Sequence, residues 1–243
     1  MNNTGLHPFV LRSRPPVLRR RSPRRLSHLQ IALARWWWQC RISADEKLKR
    51  AFDIAFSAAV LVAISPLLGL LALLIKLEDG GPIFFKQVRV GRHGREFTMF
   101  KFRSMRVDAE QRLRDLLAQN QHKAGVTFKL KDDPRVTRIG KWIRKFSLDE
   151  FPQFYNVLIG DMSVVGPRPP VPREVALYTL ADRRRLAVAP GITCIWQVSG
   201  RAAIDFHGQV ELDVRYIETR SFWSDLAIIT KTVPAALSGS GAY

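Results

Sequence analysis

The sequence predicts a mixed α/β fold, mostly helical, in which a re-entrant membrane helix hairpin joins a small cytosolic domain with a β-hairpin and short helices. Three observations predict it. Residues 54–75 form a run of 22 uncharged, mostly apolar side chains. Two β-rich runs, 83–90 and 95–103, flank the turn Gly91-Arg92-His93-Gly94. From residue 139 onward the patterns suit short helices and loops, cut by many Pro and Gly. The boundaries implied are a basic N-terminal arm over 1–46, the membrane helix over 47–78 and the cytosolic domain over 79–243.

The arm comes first. Residues 1–26 hold clustered Arg and Pro, including Arg19-Arg20-Arg21 and Arg24-Arg25, a composition expected to stay disordered. The first 30 residues lack an apolar run long enough for a secretory signal. Trp36-Trp37-Trp38, beside Arg35 and Arg41, suits the headgroup layer of a membrane; three core tryptophans are the alternative. Over the whole chain 39 Lys and Arg face 21 Asp and Glu, a net charge of +18. Such a chain calls for a polyanion: nucleic acid, an anionic membrane surface or phosphorylated substrates. An apolar share of 47% excludes wholesale disorder. Cys40 and Cys194 exclude a disulfide framework and offer no metal spacing.

Residues 54–75 would make a helix of roughly 33 Å, enough to cross the hydrocarbon core of a bilayer. Ser65-Pro66 interrupts it. Proline removes a backbone donor, and a neighbouring serine can bond the freed carbonyl. The flanks argue for a return. Residues 1–50 hold 12 basic and 2 acidic side chains, and residues 76–106 hold 8 basic and 3 acidic. Basic flanks stay on the cytoplasmic side, so a hairpin bent at Ser65 and Pro66 satisfies both where a single crossing satisfies one; a kinked spanning helix is the alternative.

After the turn Gly80-Gly81-Pro82 comes the β-hairpin. Its second strand alternates Phe100 and Phe102 with Lys101 and Arg103, cations that either face a site or are simply solvated. Residues 105–120 read as a helix with Leu113, Leu116 and Leu117 on one face. A further helix is expected over 206–220, followed by an amphipathic segment, SFWSDLAIITKTV.

The chemistry concentrates in residues 141–169. Asp149 and Glu150 are adjacent, and on a helix neighbours point about 100° apart, so they suit different roles around one substrate. Ser147-Leu148-Asp149-Glu150 also matches a capping box, which would make the pair structural. Pro152 conflicts with that, because it would be the fifth helical residue. Either the helix starts later or the carboxylates sit on a distorted turn. Arg138, Lys141, Arg144, Lys145 and Arg168 surround the pair in sequence, and guanidinium groups bind phosphate bidentately. Gly166-Pro167-Arg168-Pro169 holds Arg168 on a stiff loop. Carboxylates among arginines beside a membrane segment suggest phosphate chemistry at a lipid surface. Mg²⁺ is the natural metal, held by one or two carboxylates plus substrate phosphates. His28, His93, His122 and His207 are scattered and give no zinc pattern.

The strings KRAFD (49–53), GPIFFKQVRVG (81–91), KFRSM (101–105), DPRVTRIGKWIRKFSLDEFPQFYNVLIGDMSVVGPRP (133–169) and PGITCIWQVSGR (190–201), with the Ser-Pro membrane segment, resemble the bacterial sugar transferase family. These are monotopic phosphoglycosyl transferases. The likeness covers roughly residues 47–243. The larger members carry four further transmembrane helices before this domain, so the chain looks like the short, exopolysaccharide-initiating type.

The resemblance implies a role for each residue. Asp149 would be the nucleophile, forming a phosphosugar–aspartyl intermediate from a UDP-sugar and releasing UMP. It would also hold Mg²⁺. Glu150 would act as acid/base or position the metal. Arg144 would hold the lipid phosphate, and Arg168 the substrate phosphates; Lys101 and Arg103 complete the expected substrate-binding set. Undecaprenyl phosphate would accept the sugar phosphate, with galactose or glucose as the expected sugar. The implied place is the cytoplasmic face of the bacterial inner membrane, against anionic lipid. No nucleic acid is expected as a partner, and a second copy of the chain is left open. Two rivals remain at this stage: a non-catalytic basic membrane scaffold, and a direct glycosyltransferase that would release UDP.

Overall fold

The computed structural model describes residues 28–109, 111, 133–200 and 204–237, with side chains between 45 and 235. The expected disordered arm, the Trp36–Trp38 side chains and most of the helix expected over 105–120 lie outside the described residues. Internal contacts divide the chain into Met1–Ala44 and Asp45–Tyr243. The site lies in the second unit.

Helix α1 (His28–Asp79) carries the apolar run. Its portion from Asp45 to Asp79 is the one helix among the described residues long and apolar enough to cross a membrane. Its most apolar window has a mean hydropathy of 2.7 and is only 11% buried, which separates it from the core helix of a soluble protein. Pro66 lies inside α1, and the helix continues through it. The Ser65 hydroxyl donates to Val62 O at 2.9 Å. Val62 is the residue whose carbonyl Pro66 leaves without a partner, so the serine repairs the gap the proline opens.

The hairpin forms as expected, with β1 (Phe84–Val90) antiparallel to β2 (Glu96–Phe102). Its loop turns through His93 and Gly94, both at positive φ. The register places Phe85 opposite Lys101, Gln87 opposite Met99 and Arg89 opposite Phe97. Opposed residues share a face, so Gln87, Arg89 and Lys101 lie on one side of the ribbon.

Short helices follow, as the Pro and Gly breaks require: α2 (Arg138–Lys145), α3 (Gln153–Ile159), α4 (Pro172–Val175) and α5 (Ile195–Ser199). Between them β3 (Ser163–Val165) and β4 (Gly191–Thr193) form a small parallel pair. Helix α6 (Phe206–Thr219) starts at Asp205, whose side chain accepts from Gly208 N. Helix α7 (Phe222–Leu237) ends the described chain.

Two apolar clusters hold these parts together. Met99, Val157, Met162, Val164, Val165, Tyr216 and Ile228 join β2, α3, β3, α6 and α7. Leu71 and Ile75 of α1 pack with Phe102 of β2 and Ile143 of α2. Ile143 and Val157 are fully buried, each worth about 1.5–3 kcal/mol of apolar burial.

The lower part of α1 is fastened by polar groups. Lys49 Nζ donates to Asp225 Oδ2 at 2.5 Å and to Val165 O at 3.2 Å. The Tyr216 hydroxyl reaches both Asp225 Oδ1 (2.8 Å) and Val165 O (3.0 Å), and Asp53 Oδ1 accepts from Val164 N. Helices α1, α6 and α7 therefore converge on β3, and buried polar groups satisfy one another there.

Candidate active site

Helix α2 begins at Thr137, whose hydroxyl accepts from Gly140 N at 2.9 Å. Glu78, near the end of α1, accepts from Arg138 N at 2.7 Å and adds negative charge at the same helix end. Ile139 and Ile143 face the core, while Trp142 is 64% exposed. Arg144 sits in the last turn, where a cation suits the helix dipole.

After α2 the chain turns sharply. Ser147 adopts φ 55°, ψ 25°, a left-handed conformation uncommon outside glycine. Its side chain caps nothing. Leu148–Glu150 then form a single 3₁₀ turn, and Pro152 stands at the N-cap of α3, where its missing N–H costs nothing. The capping box is therefore not made, and both alternatives left open by the sequence hold: the helix starts later, and the carboxylates sit on a strained turn.

Glu150 reaches β2 instead. Lys101 Nζ lies 2.8 Å from Glu150 Oε1 and 3.8 Å from Asp149 Oδ2. The strand that carries Lys101 also positions the turn. Asn156, fully buried in α3, accepts from Phe100 N at 3.0 Å and donates to Thr98 O at 2.7 Å, so its amide pairs with the free edge of β2. Arg50 of α1 donates to Val157 O (2.6 Å) and Leu158 O (2.9 Å), capping the other end of α3. Helix α3 is thus fixed at both ends, with the carboxylates just before its start.

Arg168 is exposed on the loop between β3 and α4, flanked by buried Pro167, Pro169 and Pro170. The loop stem is tied to β4: Gly166 N donates to Thr193 O, and Gly191 N to Pro167 O. A Cβ on Gly191 would overlap the backbone of Gly166, which is why glycine stands there.

The electrostatics divide the adjacent carboxylates. Burial pushes Asp149 above the ordinary carboxylate range, and the charge of Glu150 adds to this against Lys101 and Arg144. Burial acts on Glu150 in the same sense, but Lys101, Arg168 and Arg89 outweigh it and hold Glu150 below its ordinary value. One carboxylate is stabilised as an anion; the other gains by acquiring a cation. The Asp149 side chain is 16% exposed and that of Glu150 26%. No cluster of three His, Cys, Asp or Glu exists among the described residues. Asp149 and Glu150 are the carboxylates that could hold Mg²⁺, a metal that takes one or two carboxylates and keeps its other ligands from water or substrate.

The structure thus gathers Asp149, Glu150 and Lys101, with the charges of Arg144 and Arg168 acting on the pair. It gives Arg103 a different partner. Arg103 pairs with Asp79 at the end of α1 and packs against Gly81. Arg138, Lys141 and Lys145 are exposed along α2, with Lys145 over the rings of Trp142 and Phe146. Asp133 and Arg135 form a bidentate turn pair, 2.6 Å at its closest. Asp213 is buried against Arg185 at 2.5 Å, and burial lifts its pKa to about 6 despite that partner. Arg89, not singled out in the sequence, lies under the Arg168 loop with Nη1 donating to Pro169 O at 2.8 Å.

Residues 44–239 match the model of the bacterial sugar transferase family. The chain belongs to that family. The transferase is 58% identical over 166 residues to a galactosyl transferase, CpsE, of Streptococcus agalactiae, covering 68% of this chain and 37% of that protein. It is 45% identical over 199 residues to the undecaprenyl-phosphate galactose phosphotransferase of Salmonella typhimurium, covering 81% and 42%. It is 41% identical over 198 residues to the exopolysaccharide production protein ExoY of Sinorhizobium fredii, covering 80% and 88%. The aligned part of this sugar transferase therefore spans less than half of the first two relatives and most of the third.

Proposed function

We propose that this sugar transferase moves a hexose-1-phosphate from a UDP-sugar to undecaprenyl phosphate, the first membrane step of exopolysaccharide assembly. The observation that carries the reading is the split pair Asp149–Glu150 on a strained turn, served by Lys101, with the charge of Arg168 acting on Glu150. The Salmonella relative's name supplies the lipid acceptor and galactose; glucose is the alternative sugar.

In the first step an Asp149 carboxylate oxygen attacks the phosphorus that bears the sugar. The bond from that phosphorus to the bridging oxygen breaks, and UMP leaves with the electron pair. In the second, a phosphate oxygen of the lipid attacks the aspartyl phosphate and the Asp149 carboxylate is restored. Splitting one transfer into two is what a carboxylate nucleophile achieves. Lys101 offsets charge beside both carboxylates, Arg168 binds substrate phosphates and Arg144 holds the lipid phosphate. Glu150, held as an anion by Lys101, accepts a proton as acid/base or positions the metal. Mg²⁺ held at Asp149 would offset the charge of the diphosphate.

Helix α1 supports a re-entrant placement. Arg50 and Asp53 bind α3 and β3, while Leu71 and Ile75 pack on β2 and α2. Both ends of the apolar stretch thus rest on the same globular unit, and such a unit stays on one side of a bilayer. Between them Val62 and Leu70 are exposed. Trp142 and Trp223, also largely exposed, suit the headgroup layer, and the positive net charge suits anionic lipid on the cytoplasmic face.

The test is nucleotide release from purified protein given Mg²⁺, undecaprenyl phosphate and a panel of UDP-sugars. UMP released with UDP-galactose or UDP-glucose supports the reading. UDP would mean direct glycosyl transfer, and no nucleotide from folded protein would mean a non-catalytic role.

A further inference from the structure

Arg89 stands on β1 with only 8% of its surface exposed. All three of its guanidinium nitrogens are engaged. Nε and Nη2 donate to Gln87 Oε1 at 3.0 and 2.6 Å, and Nη1 donates to Pro169 O at 2.8 Å. Gln87 lies two residues back on the same strand face, so it holds the guanidinium plane fixed. The next residue adds a main-chain bond, Val90 N to Pro170 O at 2.9 Å. The end of β1 therefore grips two consecutive carbonyls of the loop that carries Arg168. In a proline-rich loop few amide protons are available, and carbonyls are the remaining backbone handles.

The arrangement is electrostatically expensive. Burial and the charge of Arg168 lower the Arg89 pKa to about 10, with Glu174 and Glu150 opposing.

We infer that Arg89 is a positioning residue: its bond to Pro169 O fixes the loop so that the charge of Arg168 is directed at Glu150. The inference rests on the phosphate-binding role proposed above for Arg168. Without Arg89 the loop loses one of its two attachments to β1, and Arg168 loses its aim while keeping its charge.

The test uses the full chain in detergent, with Arg89→Met, Arg89→Lys, Gln87→Leu, Arg168→Met and the Arg89→Met/Arg168→Met double variant. Hydrogen exchange is read over residues 163–171, with 206–219 as the control for global unfolding. In Arg89→Met the loop exchanges about tenfold faster, the scale of one charge-assisted hydrogen bond, and the control is unchanged. Arg89→Lys recovers part of the protection. If Arg89→Met opens the control segment as well, Gln87→Leu, which keeps the cation and removes its brace, shows the loop effect alone.

In turnover, Arg89→Met raises the KM for the UDP-sugar about tenfold and lowers kcat less, and it adds nothing in the Arg168→Met background. Unchanged loop exchange in both Arg89→Met and Gln87→Leu overturns the inference, as does a KM penalty that multiplies in the double variant. Wild-type protein that releases no UMP while its loop responds to Arg89→Met refutes the proposed function and leaves the positioning role standing.

Discussion

Lys101 stands beside two adjacent carboxylates and bonds one of them: its Nζ lies 2.8 Å from Glu150 Oε1 and 3.8 Å from Asp149 Oδ2. The difference of one ångström separates a carboxylate fixed as an anion from one left available. Lys101→Met removes the cation from both. Turnover is expected to fall by roughly 10²-fold, the scale of losing one preorganised electrostatic partner. Lys101→Arg should recover part of it. Steady-state rates of the two variants check this, and an equal loss in both would assign Lys101 a purely steric role.

The adjacent carboxylates should respond in opposite senses to neutralisation. Asp149 has its folded pKa raised by burial, so its ionisation costs stability as pH rises through that value. Asp149→Asn should therefore unfold at a higher temperature than wild type at pH 7, and the gain should vanish below the ordinary aspartate value, where both states are protonated. Glu150 has its folded pKa lowered through Lys101, so its stabilisation is present above the ordinary value and lost as pH falls through the folded one. Glu150→Gln should be less stable at pH 7 by roughly 1 kcal/mol, the scale of one partly solvated charged hydrogen bond. Thermal midpoints across pH 3–8 read both signs.

Much of this site is legible from residue pattern alone. The clash between a Ser147 capping box and Pro152 marks the turn as irregular, and the structure resolves the clash through left-handed Ser147. The hairpin follows from its glycine-bounded turn. Arg89 had a usable signal: it shares a strand face with Gln87 and, through the register, with Lys101. The sequence offered Arg103 on equal terms with Lys101, but Asp79 claims it, and nothing local announces that pairing. The bonds of Lys49 to Asp225 and of Tyr216 to Val165 O are likewise long-range, and only the folded chain brings those groups together. Pro66 was expected to bend or break α1; the helix runs on through Pro66, with Ser65 bonded to Val62 O.

Arg50 caps two carbonyls at the C-terminus of α3. Arg50→Ala removes both bonds and should lower stability by about 1.5–3 kcal/mol. It should also lower turnover, because α3 carries the carboxylate turn at its other end. Thermal unfolding measured beside activity separates this from Arg50→Lys, which keeps a single bond and should lose less.

Replacing Ser65 and Pro66 together by alanine restores an N–H for Val62 O and removes the bend-prone dipeptide. The helix should shift toward a spanning form. Single cysteines at Leu48 and Leu77, both exposed, report the side of the membrane on which each end lies. Both are expected on the cytoplasmic side in the wild type, with one transferred in the double-alanine variant. Cysteines that stay together in that variant would remove the dipeptide from the account of topology.

The most direct measurement is the intact mass of the protein mixed with Mg²⁺ and a UDP-sugar in the absence of lipid acceptor. A gain equal to one hexose phosphate is expected, mapped to Asp149, with one UMP released per adduct. The adduct should disappear on addition of undecaprenyl phosphate and never form in Asp149→Asn. Lipid-linked product made by Asp149→Asn, or turnover by wild-type protein that carries no adduct under any acceptor-free condition, would contradict Asp149 as the nucleophile.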